Sequence, residues 1–551
     1  MPASRPSKIL HWCLFLLFCA IWFYMLGART LVPTDEGRYA EMAREMAVSG
    51  DWITPRLNGI KYFEKPPLQT WMNALTFRAF GLGEWQARLW TGLCGLFGIL
   101  LTAYTGRRVF NPRVGLYTGL VLASSFLWAA MSHINTLDMG LAAMMTLALC
   151  ALLLAQHPGA SATEHRYWML ACWSGMALAV LSKGLIGIVL PAGVLALYVL
   201  ATRNWALLKR LQILIGLPLF LAITAPWFIL VSLKNPEFPY FFFIHEHFQR
   251  FTSTVHHREG AWHYFIPILL LGILPWIGLL PQSLWNARRQ TTDKLQPKIL
   301  LLLWTVLIFV FFSISGSKLP SYILPIFPAM ALLIACHLEH ASTKSLAFSA
   351  GLIALCSAVG LGFTHRIPAL ASNAYEQPLY LAYTTWVIAA AVAGLVGSLS
   401  AVLMALRLRR TQTIVMLAAT GFLSGQIIML GHEPLGRYKA GLNHVPAILA
   451  IATPETPIYS VGKYEQTMPF YLQRTLILVG NPDEMDFGLQ YEPHLWLPTL
   501  DAFIKKWHAQ SAARRKAIAI IPPALLPELE NRGIPVRIIS QDSRRAIITN
   551  D

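Results

Sequence analysis

The chain has 551 residues, of which 55% are hydrophobic and only 13% charged, about half the charged share of a typical soluble domain. Too little charge remains to cover several water-soluble domains, which excludes a soluble enzyme, a disordered chain and a small disulfide scaffold and leaves a polytopic membrane protein. The 44 Lys and Arg outnumber the 27 Asp and Glu for a formal net charge of +17; cytoplasmic loops, a polyanionic ligand or nucleic acid would each produce such an excess, and position along the chain must separate them.

Arg5 and Lys8 precede an apolar run from Ile9 to Leu26 that is too long for a signal-peptide core and closes on no small-residue cleavage site. It reads as a first transmembrane helix with a cytoplasmic N-terminus. Further spans are expected at about 86–106, 114–131, 137–155, 167–182, 184–201, 211–233, 262–284, 299–314, 320–338, 345–364, 379–406 and 413–430, about thirteen in all. The connections alternate in charge. Arg107, Arg108 and Arg113, then Arg203, Lys209 and Arg210, then Arg288, Arg289, Lys294 and Lys298, and finally Arg407, Arg409 and Arg410 fall on one side. The opposite short connections carry none in 132–136 and single residues at Lys183, Lys318 and Arg366. This is the positive-inside pattern, and it puts the C-terminus outside. All seven cysteines lie in apolar runs, so neither a disulfide framework nor a CxxC metal site is indicated.

Three stretches interrupt the hydropathy, all on the outer side. Residues 29–85 mix charge, proline and aromatics. Residues 234–261 contain FFFIHEHFQRF, an amphipathic run suited to an interfacial helix. Residues 431–551 alternate strand-like runs (PIYSVG, LILVG, AIAII, VRIIS, AIITN) with helix-like ones, which predicts a small α/β domain beyond a transmembrane domain of 1–430. No internal or inverted repeat is evident.

Candidate chemistry clusters on the same side. Thr34 to Ala40 reads TDEGRYA; Thr34 as an N-cap over an acidic first turn explains Asp35 and Glu36 structurally, while two carboxylates beside Arg38 and Tyr39 also suit a base, metal or sugar site. Glu64 and Lys65 precede Pro66-Pro67, which locks them on a rigid corner. Asp138 opens the fourth span, where an ionisable group is costly and functional unless helix dipole and water relieve it. In 234–261, His245 and His247 are two apart and diverge on a helix, so one His would need a carboxylate from elsewhere to hold Zn²⁺ or a similar ion. Lys318 and Tyr322, in a tight loop between spans, suit an anion above the membrane, against plain snorkelling of the lysine. Cations beside carboxylates at an interface fit a lipid phosphate joined to a sugar.

The DExRYA segment (Asp35, Glu36, Arg38, Tyr39, Ala40), EKPPL (Glu64 to Leu68) and SKLPSYILPIFP (Ser317 to Pro328) resemble bacterial integral-membrane glycosyltransferases of the GT-C fold, relatives of the protein O-mannosyltransferases, and among them the lipid A 4-amino-4-deoxy-L-arabinose transferases. The resemblance covers essentially the whole chain. It implies transfer of the amino sugar from undecaprenyl phosphate to a lipid A phosphate at the periplasmic face of the inner membrane, with polymyxin and cationic-peptide resistance. The alternatives are another polyprenyl-phosphate-sugar transferase, such as one acting on protein hydroxyls, a lipid or sugar transporter, or a receptor. By the same resemblance Asp35, Asp138 and Glu36 are the acids at the reaction. Lys65, Arg38, Arg250, Tyr322, Lys318 and Tyr39 surround the carrier phosphate, and Glu64 with His245 is a possible divalent-metal pair. No cofactor is required by this reading, membrane lipids are partners, and nucleic acid is not, since no basic stretch accompanies a base-reading module.

Overall fold

A computed structural model describes residues 8–249, 260–289 and 295–550. Every predicted span coincides with helix. The first runs Lys8–Gly27, and among the described residues eight others are long and apolar enough to cross a membrane unaided: Glu84–Val109, Leu137–Gln156, Ile213–Lys234, Pro297–Ile314, Pro320–Leu338, Thr343–Leu370, Gln377–Leu406 and Arg410–Gly431. Two bent pairs, Pro112–Ser124 with Phe126–Ser132 and Phe265–Gly272 with Ile277–Ala287, raise these to ten. The expected thirteen is reached only with the first helix, the 17-residue Ile186–Thr202, and Ala162–Lys183, whose first turns carry Glu164 and Arg166.

The two bends, of 65° and 109°, meet each other. The Phe126 amide donates to the Leu274 carbonyl at 3.2 Å, and Trp276 Nε1 donates to Ser124 Oγ at 2.9 Å. Backbone freed by a broken helix must find such partners, because the bilayer core offers no water.

The first outer stretch folds into a helix, Asp35–Ser49, a hairpin of β1 (Arg56–Leu57) and β2 (Ile60–Lys61), and a helix Leu68–Phe80 that starts directly after Pro66-Pro67. Asn58 and Gly59 turn the hairpin at φ of 58° and 76°, the left-handed pair that such a two-residue loop requires. Asn58 also joins this stretch to the last domain: its amide donates to the Leu476 carbonyl and accepts from the Leu476 N–H, both at 2.7 Å.

The 234–261 stretch departs from expectation. Its Tyr240–Gln249 segment is a wide π-helical turn, and Phe238, Phe241 and Phe242 are buried against Phe63 and Trp227. The Phe241 ring stacks on Phe487 of the last domain at 4.0 Å. This part of the amphipathic run therefore packs on protein, where a free interfacial helix would place it in lipid.

After Gly431, short helices lead to a six-stranded sheet of β3 (Ile458–Val461), β4 (Ile477–Val479), β5 (Trp496–Leu497), β6 (Ile518–Ile521), β7 (Arg537–Gln541) and β8 (Ala546–Thr549), ordered β5-β4-β3-β6-β8-β7. The first four strands of that order run parallel, and β8 pairs antiparallel with both β6 and β7. Five of the strands are the runs expected from sequence; the two-residue β5 was too short to show a period. Strands β3 and β6 are buried at every position, as a parallel sheet covered on both faces requires. The Leu500–Ala512 helix covers one face through Phe503 and Trp507, and Val445, Ile448 and Met468 cover the other.

Candidate active site

Asp35 and Glu36, neighbours in sequence, have different surroundings. Glu36 is 1% exposed, and its carboxylate takes Arg88 Nε at 2.6 Å and Nη2 at 2.8 Å, the Val32 N–H at 2.7 Å and the Asn135 N–H at 2.8 Å. Burial alone would raise its pKa; the Arg88 fork, the Arg29 charge and the Asn135 amide reverse that and hold it below the usual carboxylate range. Thr34 makes no side-chain cap, so Glu36 itself ties the chain entering the helix. The hydrogen bonds that the Glu36 carboxylate accepts thus come from Arg88 and backbone amides, a structural duty for a residue grouped by sequence with the reacting acids. Arg88, fully buried at the start of the Glu84–Val109 span, was missed, although an arginine in an apolar run was its visible signal.

Asp35 keeps 39% of its side chain exposed and lies 3.6 Å from Arg38 Nη1. Arg38 is buried; its Nη2 pairs with Glu484 Oε1 at 2.7 Å, and its Nη1 donates to the Tyr62 hydroxyl at 3.4 Å. Glu484 comes from the last domain, more than 400 residues away, and nothing local in the sequence marks it. The buried Tyr39 hydroxyl feels Asp35, Glu64 and Asp138. Burial first, then those carboxylates, push its pKa well above the ordinary phenol value, and Tyr62 is raised likewise by burial and Glu64. Both phenols remain protonated hydrogen-bond donors at any physiological pH.

Asp138, second residue of the Leu137–Gln156 helix and 7% exposed, forms an ion pair with Lys183 and accepts from Ser321 Oγ at 2.9 Å. The Lys183 ammonium sits 4.4 Å above the Tyr322 ring. Asp138, Tyr322 and Asp35 all act on Lys183, so the two acids belong to one electrostatic neighbourhood. In the sequence Lys183 carries less weight than Asp138, because its pairing spans 45 positions.

The remaining candidates divide. Lys65 is partly exposed, with Nζ 2.8 Å from the Glu64 carbonyl and 3.9 Å from its carboxylate. Lys318, expected to face an anion, donates instead to the carbonyls of Ser313 and Ser315 at 2.8 and 2.7 Å, capping the end of the Pro297–Ile314 helix. Arg250 lies outside the described residues, as do His256 and His257. His245 is exposed and stacks on Phe241 at 5.1 Å. Among the described residues no group of three or more His, Cys, Asp and Glu converges to hold a metal ion. Glu64 and His245 alone give two donors, short of the three or four protein ligands of a zinc site.

A family model described as aminoarabinose transferase C-terminal domain matches residues 444–550, and one described as dolichyl-phosphate-mannose-protein mannosyltransferase matches residues 64–230. The undecaprenyl phosphate-alpha-4-amino-4-deoxy-L-arabinose arabinosyl transferase of Edwardsiella ictaluri is 36% identical over 341 residues, which cover 61% of this chain and 60% of that protein. The alignment thus spans about three fifths of that curated relative. The crystal structure of ArnT from Cupriavidus metallidurans bound to undecaprenyl phosphate is 41% identical, with 99% of each chain covered and a TM-score of 0.94. The apo oligosaccharyltransferase of Archaeoglobus fulgidus, 13% identical over 94% of this chain and 70% of its own, shares the fold with a TM-score of 0.52.

Proposed function

The chain belongs to the aminoarabinose transferase family of GT-C integral-membrane glycosyltransferases, and from that premise we propose that it moves 4-amino-4-deoxy-L-arabinose from undecaprenyl phosphate to a phosphate of lipid A. The observation that carries the reading is the full-length likeness to a relative crystallised with undecaprenyl phosphate. The proposed setting is the periplasmic face of the bacterial inner membrane, with the N-terminus cytoplasmic and the 431–551 domain outside.

In this reading an acceptor phosphate oxygen forms the new bond to the anomeric carbon, and the bond from that carbon to the carrier phosphate oxygen breaks. The electron pair leaves with undecaprenyl phosphate. A phosphate is already anionic near neutral pH and needs no base, whereas a Ser or Thr hydroxyl would. Asp35 accordingly orients the acceptor or the sugar amine. Asp138, held by Lys183 and Ser321, fixes the Lys183 charge beside it. Lys65, Arg38 and Arg250 stabilise the charge that develops on the departing phosphate, and Tyr39 and Tyr322 contribute to the same carrier site. No step is routed through a metal, since Glu64 and His245 bring too few ligands among the described residues. The product carries a cationic amine where lipid A had net negative charge, which weakens binding of polymyxin and other cationic peptides.

Lipid A mass from cells with and without the gene, under inducing conditions, tests the reading. A pentosamine mass increment that disappears with the gene is expected, together with a rise in polymyxin susceptibility. An unchanged lipid A profile removes it. The mannosyltransferase-type match over 64–230 favours a second reading, transfer to protein, which predicts glycopeptides lost in the same deletion strain.

A further inference from the structure

A cavity of about 930 Å³ opens at the end of the bundle opposite Asp35 and Asp138. Two helices measure the separation. Leu137–Gln156 begins beside Asp138 and ends at His157 on the cavity wall, about 30 Å at 1.5 Å per residue. Pro297–Ile314 runs the other way, from the cavity to the loop of Lys318. The cavity is therefore separate from the site above, and its size falls within the ~300–1,000 Å³ of ordinary ligand sites.

Its charged lining is cationic: Arg289 and Lys298 line it beside the neutral polar Ser283, Asn286 and Gln296 and the imidazoles of His157, His337 and His340, and no carboxylate does among the described residues. Glu339 lies nearby, but its carboxylate accepts from Asn111 Nδ2 at 2.8 and 2.9 Å and stands 3.6 Å from His340. Neither Arg289 nor Lys298 makes an ion pair among the described residues. Asn286 Nδ2 donates to His337 Nδ1 at 3.1 Å, which leaves the proton of a neutral ring on Nε2, and that buried nitrogen has no hydrogen-bond partner. The Pro297–Ile314 helix points its positive end here with an 18-residue dipole behind it. The lining also includes the apolar Val109, Phe110, Leu295, Ile299 and Leu333. The positive-inside rule explains why cations gather at this end. It does not explain a cavity with two cations that make no ion pair among the described residues and a helix N-terminus at its wall.

We propose that this cavity binds the phosphate group of an anionic lipid from the leaflet on that side of the membrane, its chains lying along the apolar wall. Basic pockets between transmembrane helices hold lipid head groups by the same combination of charge and hydrocarbon. A free phosphate would use the cations but gain nothing from Phe110 or Leu333.

The test uses the delipidated full-length protein and native mass spectrometry with dioleoyl-phosphatidylglycerol against dioleoyl-phosphatidylcholine. Phosphatidylglycerol should bind the wild type preferentially, and the Arg289→Gln/Lys298→Gln variant should bind it at least about tenfold more weakly, since hydrogen bonds to charged groups are lost. Arg407→Gln/Arg409→Gln removes the same charge from another exposed connection on that side and should keep wild-type affinity. If the first pair does not fold, His340→Glu at the exposed mouth should weaken binding in the same direction. Equal affinity in the cavity variants and the wild type overturns the proposal, as does an equal loss in the Arg407/Arg409 control. Displacement of the lipid by inorganic phosphate at comparable concentration would assign the site to a free anion and overturn the lipid.

Discussion

Asp35 and Glu36 are adjacent residues of the same charge, and the fold gives them different surroundings. Replacing Glu36 by Gln leaves the buried Arg88 without its counter-charge, a loss of about 3–5 kcal/mol, so Glu36→Gln should lower the thermal unfolding midpoint and expression together. Asp35, well exposed and only loosely paired, behaves as a surface residue for stability, within about 0.5 kcal/mol. Asp35→Asn should therefore keep the wild-type midpoint and lose sugar transfer; a stable and fully active Asp35→Asn would remove Asp35 from the site. Glu45 adds a pH dependence. Burial, with Glu41 alongside, pushes its pKa from 4.5 up to about 8. The folded state then holds a proton that the unfolded state releases, and stability falls as pH rises from about 4.5 to about 8. Glu45→Gln should flatten that slope in a thermal-denaturation series across the window.

The element that holds the site together is the Asp35–Ser49 helix, wedged between the bundle and the last domain. Gly37 makes the wedge possible: a Cβ there would come within 2.6 Å of Thr467 Cα and 2.7 Å of the Gln466 carbonyl, and backbone atoms cannot rotate away. Gly37→Ala should cost about 1–3 kcal/mol from overpacking and displace the Asp35 and Arg38 side chains on either flank. Transfer by membranes containing the variant is expected to fall tenfold or more; wild-type transfer would show that the helix tolerates displacement. Elements of this kind were only partly legible. The long apolar spans and the all-buried strands announce themselves by period and length. The Asp35–Ser49 helix has eleven buried positions, among them Glu36, Arg38, Glu41, Arg44 and Glu45, because its polar face is buried against other polar groups, and hydropathy reads such a face as exposed loop.

At the scale of the whole molecule the last domain is part of the candidate site. Glu484 pairs with Arg38, Glu433 accepts the Thr30 N–H and hydroxyl at 2.6 and 2.7 Å, and Asn58 clasps Leu476. A double-mutant cycle of Arg38→Gln and Glu484→Gln on kcat/KM should give a coupling of about 0.5–3 kcal/mol, as neighbours in one polar network do. Simple additivity would reduce the domain to a cover. The sequence by itself determined what short-range physics controls: helices where apolar runs match the bilayer and strands where β-branched residues cluster. It also carried motifs specific enough to mark the family. Only the tertiary structure decided which of those charges are committed to one another. Arg88 with Glu36 across 52 positions, Lys183 with Asp138 across 45 and Arg38 with Glu484 across the whole chain are pairings between distant segments. Coulomb attraction in a buried site acts through space, and the chain order that brings the partners together leaves no periodic trace.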